Sequence, residues 1–399
     1  MIIVTTPLGA AAFISFSHHI LRRCGGVPYL ASSSSSSQYH RHRITRSRRM
    51  ARMASNDMGK PIGPALVDVD CNLLHKDLLS VMDSISSLDI DPEIPEELHI
   101  LHHPSIATSG IVALISPSST IDESVRSVDI LESSTDQQKN HISVKTTVGV
   151  HPYSAHTNTN NLSEIRALLD KPNSNQYISC MGETGLDYSE GFPEKSYQIP
   201  VFLAQLDLAF EYNLPVFLHE RFAFADTLRC IDEVTQNHPG KSIPKIIVHC
   251  FTGTYDECVA YMQRGYYTSI SGYVIKLGEG GDELRKCLRD GIVPLDKLML
   301  ETDSPYMGFP GNKDSFFHAE GGSFLNLPSK KRKRLMSMYP NVPSSLPLVL
   351  MAVHDAINVG REQRGEVKLS IQELAQTTTN NAIKFFGLDV TNNRNDNIL

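Results

Sequence analysis

The chain has 399 residues, of which 41% are hydrophobic and 20% charged, and its formal net charge is −7. This composition is that of a globular protein with one large or two modest hydrophobic cores. No run of 18 apolar residues occurs, which excludes a polytopic membrane protein, and the composition also excludes collagen-like and coiled-coil fibres. The seven cysteines include no CxxC pair, which argues against a disulfide framework or zinc knuckle and favours a reducing compartment.

The N-terminal segment differs from the rest of the chain in charge. Residues 1–56 contain eight arginines, ten serines and no aspartate or glutamate. Removing these eight positive charges leaves −15 on the remainder, which is incompatible with a broad basic surface for nucleic acid. An Arg-rich, Ser-rich, acid-free start is typical of a mitochondrial or plastid transit peptide, and we expect residues 1–57 to be such a peptide or a disordered leader. Translation from Met50, Met53 or Met58 would instead give a cytoplasmic or nuclear protein.

Eight short apolar segments, spaced by about 20 to 45 residues, are predicted to be β-strands. Amphipathic stretches such as 197–212 and 223–234 lie between them and are predicted to be helices. Near-continuous apolar strands that alternate with helices are typical of a parallel sheet covered on both faces. Eight such units predict an α/β fold with a closed (β/α)8 TIM barrel rather than an open sheet. The predicted strands are 65–70, 111–116, 144–150, 178–183, 215–219, 245–249, 266–271 and 297–303.

Three segments interrupt this alternation. The acidic stretches 84–103 and 121–140 are expected to be surface excursions, and 311–345 is expected to be a long loop after the eighth strand. That loop contains five consecutive basic residues, which form either a solvated charge run, a nuclear localisation signal or a phosphate-contacting loop. Its place after the eighth strand favours phosphate contact. The five residues are Lys330, Lys331, Arg332, Lys333 and Arg334.

Ionisable side chains lie at, or one residue past, the carboxyl ends of six predicted strands. A TIM barrel brings these ends together on the face that holds the active site. Three imidazoles and three carboxylates suit zinc, manganese or magnesium, so the sequence predicts a divalent metal and hydrolytic chemistry. For His151, which precedes Pro152, a structural role and a site role both stay open. The six residues are Asp70, His151, Glu183, His219, His249 and Asp303.

Six sequence blocks, in order and spacing, resemble the signature motifs of the TatD family of metal-dependent deoxyribonucleases. They are VGVHP, GETGLDY, PVFLHER, VHCFTG, SISGY and LETDSPY, and the segment TTTNNAIKFFGL resembles the closing helix of the family. The resemblance assigns 65–388 to a TIM-barrel hydrolase domain of the metallo-dependent hydrolase type and leaves 389–399 as a polar tail. It implies a DNase that hydrolyses phosphodiester bonds, expected to be a 3′-5′ exonuclease on single-stranded DNA.

The resemblance also implies metal ligands. Glu183 is expected to bridge two divalent ions, which would be Mg, Mn or Zn, and His219 and His249 are expected to be imidazole ligands. Asp303 is expected to bind metal and to orient or deprotonate the attacking water. Many members open with a His-x-His pair, where this chain has Asp70 and Asn72. Asp70 could supply an oxygen ligand in place of imidazole, which would favour Mg or Mn.

Substrate contacts are implied at other matching positions. Arg221 falls in the His-x-Arg block and is expected to hold phosphate, while His151 is expected to lie near the substrate. The basic run, represented by Lys330, Lys331 and Arg332, is expected to steer the DNA strand. Two positions depart from the family: Phe222 stands where Asp often follows the arginine, and Val342 stands where Asn-Glu-Pro is common.

Two other functional classes stay open at this point. A small-molecule amidohydrolase could use the same barrel, although Glu183 stands where such enzymes often carry a bridging lysine. A non-catalytic binding protein could have kept the barrel and lost the ligands of the first strand. No membrane partner is expected, and no dimerisation patch is readable, so a monomer is the default expectation.

Overall fold

The computed structural model describes residues 63–390, apart from 84–87, 89, 158–161 and 321. The transit peptide or leader predicted over 1–57, and the predicted polar tail from 391 onward, lie outside these residues. None of the helices described is both long and apolar enough to cross a lipid bilayer.

Eight parallel strands are hydrogen-bonded in chain order, as in a (β/α)8 barrel, and the predicted fold is confirmed. Backbone hydrogen bonds also join the last strand to the first, because Val69 N donates to Leu300 O at 3.1 Å and Asp303 N donates to Asp70 O at 2.9 Å. The strands are β1 (Leu66–Asp68), β2 (Ile111–Ser116), β3 (Ser143–Val148), β4 (Ile178–Asp187), β5 (Val216–Arg221), β6 (Ile246–Val248), β7 (Tyr267–Ile270) and β8 (Leu298–Leu300).

The carboxyl ends of β4 and β8 differ most from their predicted positions. β4 runs on to Asp187, because its polar, glycine-containing end pairs with β5 as far as the Asp187 and Arg221 register. β8 ends at Leu300 rather than Asp303: Glu301 N still donates to Ile270 O of β7, but Asp303 N donates to Asp70 O just after β1. In both cases apolar character alone does not report the backbone pairing that defines a strand end.

Helices cover the outside of the barrel. The predicted helices over 197–212 and 223–234 are present as α5 and α6. The helices are α1 (Lys76–Asp83), α2 (Pro104–Ser109), α3 (Ile121–Ser133), α4 (Ser163–Leu169), α5 (Lys195–Tyr212), α6 (Phe224–Asn237), α7 (Tyr255–Gln263), α8 (Glu279–Arg289), α9 (Asp314–Ala319), α10 (Gly322–Leu325), α11 (Ser329–Leu335), α12 (Leu346–Gln363) and α13 (Ile371–Phe386).

The predicted surface excursions are wrong in part. Residues 121–140 begin with α3, which packs against β3 as a crossover helix and buries Val128 and Leu131. The Thr120 hydroxyl accepts a hydrogen bond from Glu123 N and caps the helix. Two polar residues on the buried face, Ser124 and Ser127, hide the apolar period of this helix in the sequence. Residues 96–102 likewise form a 3-10 helix with a buried Leu98, and 311–345 contains α9, α10 and α11 rather than loop alone.

Two apolar layers follow from the alternation of side chains along the strands. One set points outward under the helices, and the other fills the barrel with residues such as Val67, Phe217 and Met299. Phe385 and Phe386 of α13 join the inner set. The Asn381 side chain of the same helix donates to the Leu295 and Leu298 carbonyls. The end of the barrel that holds the amino termini of the strands is therefore closed, and the carboxyl ends of the strands form the open mouth.

Candidate metal centre

The ends of β4 and β5 set the geometry of the mouth. Gly185 pairs with His219 and Asp187 pairs with Arg221, so alternate side chains of both strands point toward the same space. A Cβ atom at Gly185, whose φ is 148°, would collide with the carbonyl oxygen of His219. Glycine at this position therefore allows the two strands to approach closely beside Glu183.

Glu183 Oε1 lies at the centre of the site. It is 2.8 Å from His249 Nε2, 2.9 Å from His219 Nδ1 and 3.3 Å from His151 Nε2. The sequence predicted this convergence from strand ends that are up to 98 residues apart in the chain numbering, and the structure brings all four side chains together. Burial opposes ionisation of Glu183, but the three imidazoles outweigh it and lower the pKa of its carboxyl well below the ordinary value.

A second carboxylate orients His219. Asp187 Oδ2 lies 3.0 Å from His219 Nε2, and Asp187 Oδ1 accepts a hydrogen bond from Ser189 N at 2.8 Å. The His219 Nε2–H therefore donates to Asp187, and Nδ1 keeps its lone pair toward the centre. Burial opposes protonation of His219, but Asp187 and Glu183 raise its pKa. Histidine held by a carboxylate in this way is the usual arrangement of a metal ligand.

Three further ligand atoms lie on the β1, β6 and β8 side of the mouth. Single ligand atoms of Asp70, His249 and Glu301 lie within 4.8 Å of one another, and all three residues are buried. Asp70 Oδ2 and His249 Nδ1 are 3.0 Å apart. Neither of these atoms has a hydrogen-bond partner of acceptable geometry, and Glu301 Oε1 also lacks one. Buried polar atoms without partners are costly, so this group fits a cation that would satisfy all three.

The electrostatics of this group agree with that fit. Burial is the main cause that raises the pKa of Asp70 well above its ordinary value and that of Glu301 to about 7. Burial opposes protonation of His249, but Glu183 and Asp70 raise its pKa well above the usual range. The oxygen-rich group suits Mg or Mn, whereas the group formed by His151, Glu183 and His219 is richer in nitrogen.

Asp303 lies beside this centre but belongs to neither group of converging ligand atoms. Its backbone has a φ of 52° and its amide donates to the Asp70 carbonyl. Burial raises the pKa of Asp303 to about 6; the charge of His249 opposes this rise and that of Glu183 adds to it. The predicted proximity to the site is present, and direct metal ligation by Asp303 stays a prediction.

The tautomer of His151 argues for a donor rather than a ligand. His151 Nδ1 accepts a hydrogen bond from Tyr153 N at 3.1 Å. The neutral ring then carries its proton on Nε2, the atom that faces Glu183 Oε1 and His219 Nδ1. A ring nitrogen that bears a proton cannot bind a metal. His151 is therefore placed to donate a hydrogen bond within the mouth.

The predicted substrate-contacting cations occupy two places. Arg221 ends β5, lies half-buried and makes no ion pair within the described part of the chain. The predicted basic run forms most of α11, where four of its five side chains are exposed. The segment after α11 runs beside the end of β8, since Asn341 N donates to Pro305 O at 2.7 Å. No contact joins the basic side chains to the central carboxylates among the residues described.

Sequence reasoning missed Asp187 and Glu301, although both stand inside motifs that it singled out. The available signal was alternation: Asp187 is four residues after Glu183 on the same strand face, and Glu301 directly follows β8. Asn72 Oδ1 accepts a hydrogen bond from Leu74 N at 3.1 Å, and Asn72 is in neither group of converging ligand atoms among the residues described.

Comparisons with known proteins show which family this chain is similar to. The family model described as TatD related DNase matches residues 83–387. A 3′-5′ ssDNA/RNA exonuclease TatD from Cronobacter turicensis is 40% identical over 162 residues, which are 40% of this chain and 57% of that protein. A protein of the same description from Rahnella sp. is 35% identical over 243 residues, which are 61% of this chain and 76% of that protein. The chain thus spans little more than half the length of the first relative.

Solved structures give the same fold. The TatD homologue YJJV from Escherichia coli K12 is 20% identical with a TM-score of 0.58, covering 81% of this chain and 98% of that one. A TatD family hydrolase from Entamoeba histolytica is 22% identical with a TM-score of 0.57 and the same coverage. The family model spans well over half of the chain. The protein therefore belongs to the TatD-related DNase family.

Proposed function

We propose that this protein is a divalent-metal-dependent nuclease that hydrolyses phosphodiester bonds of single-stranded nucleic acid from the 3′ end. The observation that carries the proposal is the convergence of three imidazoles on Glu183 Oε1, next to the group of Asp70, His249 and Glu301, which contains buried atoms without hydrogen bonds. Family membership supports hydrolysis of a phosphodiester, and the names of the two bacterial relatives support a single-stranded DNA or RNA substrate and 3′-5′ polarity.

The donor set supports two divalent ions. Glu183 and His219 would hold one, and Asp70, His249 and Glu301 would hold the other, with Glu183 close enough to His249 to be shared. The nitrogen-containing group accommodates Zn or Mn, and the oxygen-rich group accommodates Mg or Mn. When bound, divalent ions would neutralise charge on the phosphate and lower the pKa of a water molecule toward about 7.

The protein side chains have separate roles in this proposal. Asp303, on the rim of the ligand groups, accepts the proton of the attacking water. His151 donates its Nε2–H to a nonbridging phosphate oxygen, since Tyr153 N already occupies Nδ1. Arg221 has no carboxylate partner among the described residues and contacts the backbone of the strand. Lys330, Lys331 and Arg332 on α11 raise the local concentration of the polyanion near the mouth.

The experiment is cleavage of a single-stranded DNA oligonucleotide, labelled at its 5′ end, by the full chain with Mg, Mn or Zn. We expect a ladder that shortens from the 3′ end and disappears with chelator or with Asp303→Asn. Asp207→Asn is the matched control, because Asp207 is an exposed carboxylate on the protein surface, where its Oδ1 lies 3.1 Å from His238 Nε2. A folded, metal-loaded protein that cleaves neither DNA nor RNA would contradict the nuclease proposal.

Failure of that experiment would favour the small-molecule hydrolase, which shares the barrel and the ligand set. Hydrolysis of a simple carboxylic ester or lactone by the metal-loaded protein, lost in Asp303→Asn, would then identify it. A metal-loaded protein without any hydrolytic activity would favour the non-catalytic binding protein.

A further inference from the structure

Phe222 combines two features that are unfavourable in a folded protein. Its side chain is 73% exposed, although phenylalanine is normally buried. Its φ is 55°, in the left-handed region that bulky residues rarely adopt. Because the Phe222 ring is exposed, no burial of its side chain compensates for the strain in its backbone. Strained residues of this kind concentrate at ligand-binding positions, where the surrounding structure holds them in place.

The turn that carries Phe222 is held on both sides. Glu220 Oε1 accepts a hydrogen bond from Ala223 N at 2.8 Å, and Glu220 Oε2 accepts one from the Tyr261 hydroxyl at 2.9 Å. On the other side, the Arg221 carbonyl accepts a hydrogen bond from Tyr188 N at 3.0 Å. The ring of Phe222 is therefore presented to solvent by a fixed backbone, and little conformational freedom remains to be lost when a ligand binds.

Phe222 also stands next to the candidate metal centre and next to Arg221, which makes no ion pair with the described residues. It follows His219 by three residues, at the point where β5 ends. The Arg221 guanidinium carbon lies 5.5 Å from the centre of the Phe222 ring. An aromatic face and a guanidinium together match the two chemical parts of a nucleotide, because bases stack on rings and phosphates pair with arginine.

Exposed aromatic side chains are concentrated around the same mouth. Within the described part of the chain, five tyrosine or phenylalanine side chains are exposed, and each follows the carboxyl end of a strand. Four lie in the connections after β3, β5 and β8, and the fifth lies in the first turn of α5, after β4. They are Tyr153, Tyr197, Phe222, Tyr306 and Tyr339. Such a distribution is typical of proteins that bind single strands by base stacking.

We propose that Phe222 is a stacking platform for one nucleobase of the bound single strand, with Arg221 contacting the phosphate of the same nucleotide. The proposal rests on the proposed function, because it takes a single-stranded nucleic acid as the substrate. It adds a specificity-determining residue that this chain has where many family members have aspartate. The site then selects strands whose bases are unpaired and free to stack.

The test compares the full chain with Phe222→Gly, Phe222→Tyr and, as a control on the opposite face before β6, Ile243→Ala. Affinity for short single-stranded DNA is measured by fluorescence anisotropy, with Ca²⁺ in place of the activating metal and the DNA checked for integrity. Each variant is measured with normal DNA and with DNA that carries one abasic nucleotide, moved along the strand. Glycine relieves the left-handed strain, so Phe222→Gly should melt at the wild-type temperature or above it.

We expect Phe222→Gly to bind normal DNA about 5- to 100-fold more weakly, whereas Phe222→Tyr and Ile243→Ala bind like the wild type. One abasic position should weaken wild-type binding by a similar factor and leave Phe222→Gly unaffected. The stacking proposal would be overturned if Phe222→Gly and the wild type bound normal DNA with equal affinity. It would also be overturned if the losses of binding free energy caused by Phe222→Gly and by the abasic nucleotide were additive. If wild type and Phe222→Gly both cleave DNA in that case, the nuclease proposal stands alone. Absence of both binding and cleavage in the wild type overturns both proposals.

Discussion

Asp187→Asn tests whether the carboxylate behind His219 supports the metal centre. The native carboxylate accepts hydrogen bonds from His219 Nε2 at 3.0 Å and from Ser189 N at 2.8 Å. The two donors face different oxygens of Asp187, and in asparagine one of these is replaced by an NH₂ group, so the side chain cannot accept both bonds in this geometry. His219 then loses the partner that fixes its tautomer and ring orientation. Loss of such a partner typically weakens metal binding by about 10- to 100-fold, or about 1.4 to 2.7 kcal/mol.

The assay is a calorimetric titration of the metal-free full chain with Mn²⁺ or Zn²⁺. Thermal unfolding establishes that the variant is folded. Asp207→Asn is again the control, because Asp207 Oδ1 makes a similar contact of 3.1 Å to His238 Nε2 on the protein surface. We expect the control to bind metal like the wild type. If the Kd of Asp187→Asn for metal lies within about twofold of the wild-type value, Asp187 does not support metal binding through His219.

The remaining predictions concern stability. Removal of metal by EDTA should lower the melting temperature, because it leaves buried carboxylate and imidazole atoms without partners. Metal at 100 times its Kd contributes about 2.7 kcal/mol to the free energy of unfolding. An unchanged melting temperature would refute a resident ion. Phe217→Ala should lower the free energy of unfolding, measured by urea titration, by about 3 to 5 kcal/mol. The Phe217 ring is fully buried, stacks on His249 with the ring centres 4.7 Å apart, and contacts Phe386. A loss below about 1 kcal/mol would contradict this packing. Burial lowers the pKa of His103, so the unfolded chain binds this proton more tightly than the folded protein does. The free energy of unfolding should therefore fall as the pH drops below about 6.5. Between about pH 7 and 5 the melting temperature of His103→Gln should fall less than that of the wild type, and an equal fall would exclude this contribution.

The repeat of apolar segments and the polar residues at their ends were enough to predict the fold and much of the site. A parallel barrel leaves little freedom, because each strand is buried on both faces and all carboxyl ends meet at one mouth. Asp70, Glu183, His219 and His249 could therefore be grouped without coordinates. The same reasoning was wrong for α3, whose buried face combines serines with apolar residues such as Val128.

The sequence by itself determined the barrel, its order of strands and the residue types available to a divalent metal. Only the tertiary structure decided what each side chain does, since that depends on hydrogen bonds between residues remote in sequence. Tyr153 N leaves the proton of the neutral His151 ring on Nε2, whereas Asp187 leaves Nδ1 of His219 without a proton, although both are histidines at strand ends. The exposure and left-handed backbone of Phe222 likewise arise from the packing of the turn, which no local pattern reports.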